Sequence, residues 1–224
     1  CDLDSEKWRE YARRDRGPMR WVYGREARTL GQREREWLGD FDATLLSSEA
    51  ERDLFRKQIG PEADRVDVVG NGVDARYFDP AHAFAPPTEA AGPTVVFTGA
   101  MDYLANVDAV EWFAEAVWPR VLAVHADACF VIVGSRPHGR VRALAERPGI
   151  LVTGTVPDVR PYLARATCVV APLRVARGVQ NKVLEALAMD RPVVASAAAV
   201  QGISAGRPVP GCIVADDPER MAAE

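Results

Sequence analysis

Between Ala171 and Met189 the stretch APLRVARGVQNKVLEALAM places three cations, a glycine, an amide and a carboxylate within one loop and one helix. Arg174, Arg177 and Gly178 follow an apolar strand end, Asn181 and Lys182 open an amphipathic helix, and Glu185 lies one turn further on. Such a set suits an anionic ligand. The first N–H groups of a helix have no intrahelical acceptor and carry the positive end of its dipole, so a phosphate placed there gains hydrogen bonds and favourable charge together. Lys182 adds a point charge, and Glu185, at i+3 from Lys182 and i+4 from Asn181, shares their face and would accept hydrogen bonds from sugar hydroxyls. The same spacing also describes an ordinary Lys182–Glu185 ion pair on a solvated stripe, and both readings stand at this level.

The elements that would hold this loop come from the alternation of apolar runs with helical patterns. Beyond Pro93 the sequence reads as strands at 94–98, 129–133, 150–152, 167–171, 193–196 and 212–214. Helices are expected between them at 107–124, 140–146 and 181–189, and Asp158 is placed to cap a short helix through Ala164. Apolar strands separated by helices imply a parallel sheet covered on both faces, the doubly wound α/β pattern. Ligands in such sheets bind outside the carboxyl ends of the strands, which nominates Gly99–Met101, Gly134–Ser135, Gly154–Asp158, Pro172–Gln180 and Ala197 onward. The first of these strands runs into GAMDYL, so a GxGxxG dinucleotide fingerprint is absent, as are GKS/GKT, GxSxG and HExxH.

Upstream, 6–38 is helical in pattern and divided by Gly17-Pro18, 42–48 fits a buried strand, and Ser48 with Glu51 forms a capping box for a helix through about Lys57. A strand at 65–69 and a turn at Asn71-Gly72 follow, and 79–93 is Pro- and Ala-rich without periodicity. The arginines between Arg13 and Arg35, set among Trp and Tyr, raise a nucleic-acid or membrane surface. Acidic residues from Glu34 to Asp53 offset that charge, and arginine stems covering apolar surface are the preferred account.

The formal net charge of −4 gives no global field toward nucleic acid or anionic lipid. Cys1, Cys129, Cys168 and Cys212 lack a CxxC pairing and read as reduced core residues, and His82, His125 and His138 show no metal-ligand spacing. No apolar run approaches the length of a membrane span. The opening on Cys1 and the ending on MAAE read as a piece of a longer protein.

The stretches SEKWREYA, MRWVYGREARTL, FDATLLSSEAERDLF, NGVDARYF, VVFTGAMDYLANVDAVEWFAEAVWPRV, FVIVGS, VTGTVPDVRPYLARATCVVAPLRVARGVQNKVLEALAMDRPVVAS and GCIVADDPE cover nearly the whole chain. In them the chain resembles the GT-B retaining glycosyltransferases, within which it is similar to the bacterial sugar transferases of exosortase (PEP-CTERM) and exopolysaccharide loci. The resemblance implies that residues 1–75 are the end of an acceptor-side Rossmann-like domain, 76–92 a linker and 93–224 the donor-side Rossmann-like domain. It also implies that Gly99, Gly134, Ser135 and Val156 border the nucleotide, that Arg177, Gly178, Val179, Gln180, Asn181 and Lys182 hold the diphosphate, and that Glu185 holds the ribose.

Two departures from the family bear on the site, and a third, at Asp190, looks structural. Arg177 stands where many relatives carry a Glu near the transferred sugar. Met101, Asp102 and Asn106 occupy the loop where an Arg and Lys pair is usual, and Asp190 replaces a common Gly after the helix. The cations left for a leaving diphosphate are Arg174, Arg177 and Lys182, with Arg174 and Lys182 as the expected catalytic pair. The expected activity is glycosyl transfer from a nucleotide diphosphate sugar to a saccharide or lipid-linked acceptor. It would use no cofactor, metal or nucleic acid, in the cytoplasm or at the inner face of the membrane, with membrane association through a domain outside this chain. A nucleotide-sugar epimerase and a non-catalytic binding module are the alternatives.

Overall fold

The computed structural model describes residues 2–59, 64–87, 92–204 and 206–224, which divide into two compact units. Cys1 and residues 88–91 of the expected linker lie outside the described residues. The first unit comprises residues 2–71 with two later segments, 175–180 and 201–207, and the second comprises 72–174, 181–200 and 208–224.

In the first unit α1 (Asp4–Arg14) and α2 (Met19–Asp40) form a hairpin that breaks at Gly17-Pro18, as the sequence predicts. It continues through β1 (Thr44–Leu46), α3 (Glu49–Ile59) and β2 (Val66–Val68), and β1 pairs parallel to β2. Leu3, Leu38, Leu46, Phe55 and Val66 form its buried centre. The expected capping box is only half made. Ser48 Oγ accepts from the Glu51 N–H at 3.3 Å, but the Glu51 carboxylate turns away to take the Leu3 N–H at 2.8 Å, so a contact 48 residues distant replaces the local one.

The second unit is a six-stranded, wholly parallel sheet in the order β5-β4-β3-β6-β7-β8. Its strands are β3 (Thr94–Thr98), β4 (Cys129–Val133), β5 (Ile150–Gly154), β6 (Cys168–Ala171), β7 (Val193–Ala195) and β8 (Cys212–Val214). All five residues of β3 are buried, as a central strand covered on both faces requires. Between the strands run α4 (Leu104–Trp112), α5 (Trp118–Val124), α6 (Gly139–Ala143), α7 (Arg160–Arg165), α8 (Asn181–Ala188) and α9 (Ala197–Ser204), and α10 (Pro218–Ala223) follows β8. Because the order reverses at β3, where β4 lies on one side and β6 on the other, a crevice is expected at the carboxyl ends of β3 and β6.

Several local expectations are corrected. The single helix expected over 107–124 is α4, a π-helical turn at Phe113–Val117 and α5, because Pro119 lacks the N–H that would continue the α ladder. Arg120 reaches back to the Ala116 carbonyl beside this break. The short α9, rich in alanine, carries no periodic signal that would have announced it. Cys129, Cys168 and Cys212 are free thiols, but each begins its strand and is half-buried rather than sealed in the core. The Pro- and Ala-rich stretch after Asn71 belongs to the second unit. Arg160 stacks on the Tyr77 ring at 3.7 Å and donates to the Tyr77 carbonyl at 3.1 Å, which ties that stretch to α7.

Under the sheet, Phe113, Trp118 and Phe130 pack with ring centroids 4.7 to 6.4 Å apart, and the Trp118 indole donates to the Pro148 carbonyl at 3.0 Å. Trp118→Ala should therefore cost about 3–5 kcal/mol in urea unfolding, whereas Trp21→Ala, on a residue 76% exposed, should stay within about 0.5 kcal/mol of wild type. Asp190 ends α8 with a φ of 54°, in the left-handed region where glycine carries no Cβ penalty. Asp190→Gly is expected to raise stability by about 0.5–1 kcal/mol in the same measurement.

Candidate functional site

The carboxyl ends of β3 and β4 are locked together by backbone bonds before any side chain takes part. Gly99 N–H donates to Val133 O at 3.0 Å, Met101 N–H to Ser135 O at 2.8 Å and His138 N–H to Met101 O at 3.0 Å, so the loops after β3 and β4 form one layer. Gly134 is needed there: a Cβ would lie 1.7 Å from the Gly99 carbonyl oxygen. Buried Ser196, at the end of β7, donates to Leu173 O at 2.6 Å and holds the start of the loop after β6.

Into this layer α8 sends Lys182, which is only 9% exposed. Its amine donates to Asn106 Oδ1 at 2.6 Å and sits 4.0 Å from the centroid of the Phe97 ring. Asn106 is fixed in turn by donating its amide to Ala100 O at 2.9 Å, and a side chain on Gly99 would collide with both Asn106 and Lys182. Burial pulls the Lys182 amine down to about 7, against the opposing pull of the Glu185 carboxylate. Burial likewise raises the Glu185 carboxyl, and Lys182 opposes that rise. The two feel each other's charge, yet the amine bonds to Asn106 and not to Glu185, so the solvated helical ion pair is not what forms. One of three ammonium N–H bonds is used by Asn106, which leaves donors for a ligand.

The other two expected cations are committed elsewhere. Arg174 is exposed and forms a two-pronged pair with Asp108 of α4, one bond measuring 2.9 Å. Arg177 belongs to the first unit, where it pairs with Glu10 of α1 and, at 3.5 Å, with Glu51 of α3. Its buried Nε has no hydrogen-bond partner. Burial raises the Glu51 carboxyl, the Leu3 N–H and Arg177 oppose that rise, and Asp2 adds to it. Gly178, with a φ of 60°, faces Asp2 so closely that a Cβ would stand 2.0 Å from its carboxylate oxygen, and Gln180 bonds back to Arg177 O at 2.9 Å.

The structure thus brings Gly99, Gly134, Ser135 and Lys182 together in the second unit, with Glu185 one turn along α8. Arg177, Gly178, Val179 and Gln180 are in the segment that belongs to the first unit. Val156 is half-buried in the loop after edge strand β5. Sequence reasoning did not find the partners: Asn106 and Phe97 for Lys182, Asp108 for Arg174, Glu10 and Glu51 for Arg177. Each lies at least 66 residues away in the chain, where spacing carries no signal. Among the described residues no group of three or more His, Cys, Asp or Glu is arranged to hold a metal ion.

Sequence comparison with curated proteins gives no match. Among solved structures, sucrose-phosphate synthase from Thermosynechococcus elongatus is similar at 18% identity and a TM-score of 0.67, covering 88% of this chain and 51% of that one. HepE from Anabaena, solved in complex with UDP and glucose, is similar at 15% identity and a TM-score of 0.63, covering 87% and 55%. A glycosyltransferase from Rickettsia africae follows at 16% and 0.61, covering 81% and 51%. The chain therefore spans about half the length of these proteins, with which it shares an α/β fold of parallel sheets of the GT-B type. Residues 92–224, more than half of the chain, match the family model described as glycosyl transferases group 1, and the chain belongs to that family.

Proposed function

We propose that this chain carries the donor-binding half of an enzyme that transfers a sugar from a nucleotide diphosphate sugar to a saccharide or lipid-linked acceptor. The observation behind the reading is Lys182, a lysine buried at the reversal point of a doubly wound sheet with no carboxylate bonded to it. Leaving such a group without an anion costs free energy, and a diphosphate supplies that anion. Negative charge grows on the diphosphate as the glycosidic bond breaks, so an ammonium held in place by Asn106 and Phe97 favours the transition state over the ground state. The N–H groups at the start of α8 add the helix-terminal field. Glu185 is suited to accept ribose hydroxyls, and Ser135, Gly99 and Gly134 to border the nucleotide. In this reading Arg174 and Arg177 shape the loop before α8 through their ion pairs instead of touching phosphate. Independence from metal belongs to the same proposal, since a diphosphate is a good leaving group once its charge is met, and retention of anomeric configuration is proposed from the family resemblance alone.

Lys182→Ala should weaken UDP binding by roughly ten- to a hundredfold, the loss expected for a charge-assisted hydrogen bond of about 1.5–3 kcal/mol, and should weaken uridine far less. Glu185→Ala should weaken UDP and uridine alike. Calorimetric titration reads both, and wild-type affinities in both variants would remove α8 from the site.

The same titration has a pH signature. A diphosphate favours the ammonium form, so affinity should be highest below pH 7, fall as the pH rises past 7, and be accompanied by proton uptake near pH 8. Without ligand, the depressed Lys182 value means that the unfolded chain holds more protons between about pH 7 and 10.5. Its contribution to stability therefore rises with pH across that window.

Sugar transfer by the full-length enzyme should survive EDTA. Loss of turnover restored by a divalent ion would overturn the metal-free part of the proposal.

A further inference from the structure

The tip of the α1–α2 hairpin combines unpaired positive charge with exposed apolar side chains. Arg13, Arg14, Arg16 and Arg20 are all exposed, and the ion pairs of this unit among the described residues involve other arginines and lysines. The acid within the tip, Asp15, spends its carboxylate on the Gly17 N–H. Four arginines therefore face one aspartate over 13–20. Beside them Trp21 is 76% exposed, Met19 44% and Val22 43%.

Two features set this surface apart from ordinary solvated arginines. Three rings of the hairpin are used internally: Trp8 stacks on Tyr23 at 5.5 Å and Tyr11 packs on both, which leaves Trp21 at the tip outside the cluster. Glu34, the first of the acids expected to offset the charge, is also distant from the tip. From Arg20 to Glu34 along α2 is about 21 Å at 1.5 Å per residue, more than two screening lengths at physiological salt. Glu34 is moreover bonded to Ser5, Glu36 to Arg33 and Asp53 to Arg52.

We propose that this tip docks on an anionic lipid surface, with Trp21, Met19 and Val22 entering the headgroup boundary and Arg13, Arg14, Arg16 and Arg20 meeting lipid phosphates. Tryptophan beside arginine at an exposed helix-hairpin tip matches the interface in both parts, an apolar layer beneath a negative one. Nucleic acid offers the charge without the apolar phase that Trp21, Met19 and Val22 would enter. Among the described residues no helix is long and apolar enough to cross a membrane, so the contact lies on the surface. The inference stands on the hairpin alone and does not depend on the donor-site reading.

The test is cosedimentation of the 224-residue chain with vesicles of phosphatidylcholine alone or mixed with phosphatidylglycerol. Binding is expected to the anionic vesicles only and to weaken steeply with added salt. The doubly substituted R14Q/R16Q chain should bind on the order of twentyfold more weakly, since each arginine near such a surface contributes roughly fivefold. Trp21→Ala should reduce binding at high salt, where the apolar part remains. Thermal melts of these exposed-site variants should match wild type, which separates a lost surface from a lost fold. Absence of anionic-vesicle binding, equal binding by the arginine variants, or capture of a duplex oligonucleotide in preference to vesicles would each overturn the proposal.

Discussion

A lysine amine buried against an aromatic ring is the constraint around which the second unit is arranged. To keep Lys182 under the face of Phe97 and within 2.6 Å of Asn106, β3 and α8 must meet at the reversal of the sheet, and the order β4-β3-β6 brings them there. The close quarters explain Gly99, where a side chain would strike Asn106 and the amine, and Gly134, whose absent Cβ makes room for the Gly99 carbonyl. A cation with one hydrogen bond and a ring face is incompletely compensated. Burial accordingly holds its pKa well below the usual lysine value, with Glu185 opposing the fall.

The first unit has its own centre in Arg177. Its guanidinium joins Glu10 of α1 to Glu51 of α3, and Glu51 also receives the Leu3 N–H at the start of α1. One carboxylate thus serves two partners, which is why it does not close the capping box with Ser48. The segment carrying Arg177 runs straight into Asn181 at the start of α8. Within the first unit, therefore, Arg177 ties the 175–180 segment to α1 and α3 through its two ion pairs.

The strands, most of the helices and the parallel character of the sheet were legible because they rest on local pattern. Apolar runs of four or five residues bounded by turn residues announced β3, β4 and β6, and Gly17-Pro18 marked the hairpin break. The π turn was written at Pro119 but overlooked within a continuous helical pattern. Helix α9 was not legible, since alanine-rich sequence between Ser196 and Gly202 has no apolar face to read.

The sequence by itself determined which residue types stand in the loop after β6 and the first turn of α8, three cations, a glycine and two amides among them. What those residues do with their charge was decided only by the tertiary structure. Lys182, Arg174 and Arg177 look alike as three cations within nine residues, yet Asp108 neutralises one, Glu10 and Glu51 another, and Asn106 with Phe97 leaves the third in want of an anion. The converse holds in the hairpin, where Glu34, read from the sequence as offsetting the arginines, lies about 21 Å from Arg20 along α2. Spacing along a chain fixes neighbours over a few residues of a helix, whereas Coulomb attraction and desolvation depend on distances that only packing sets.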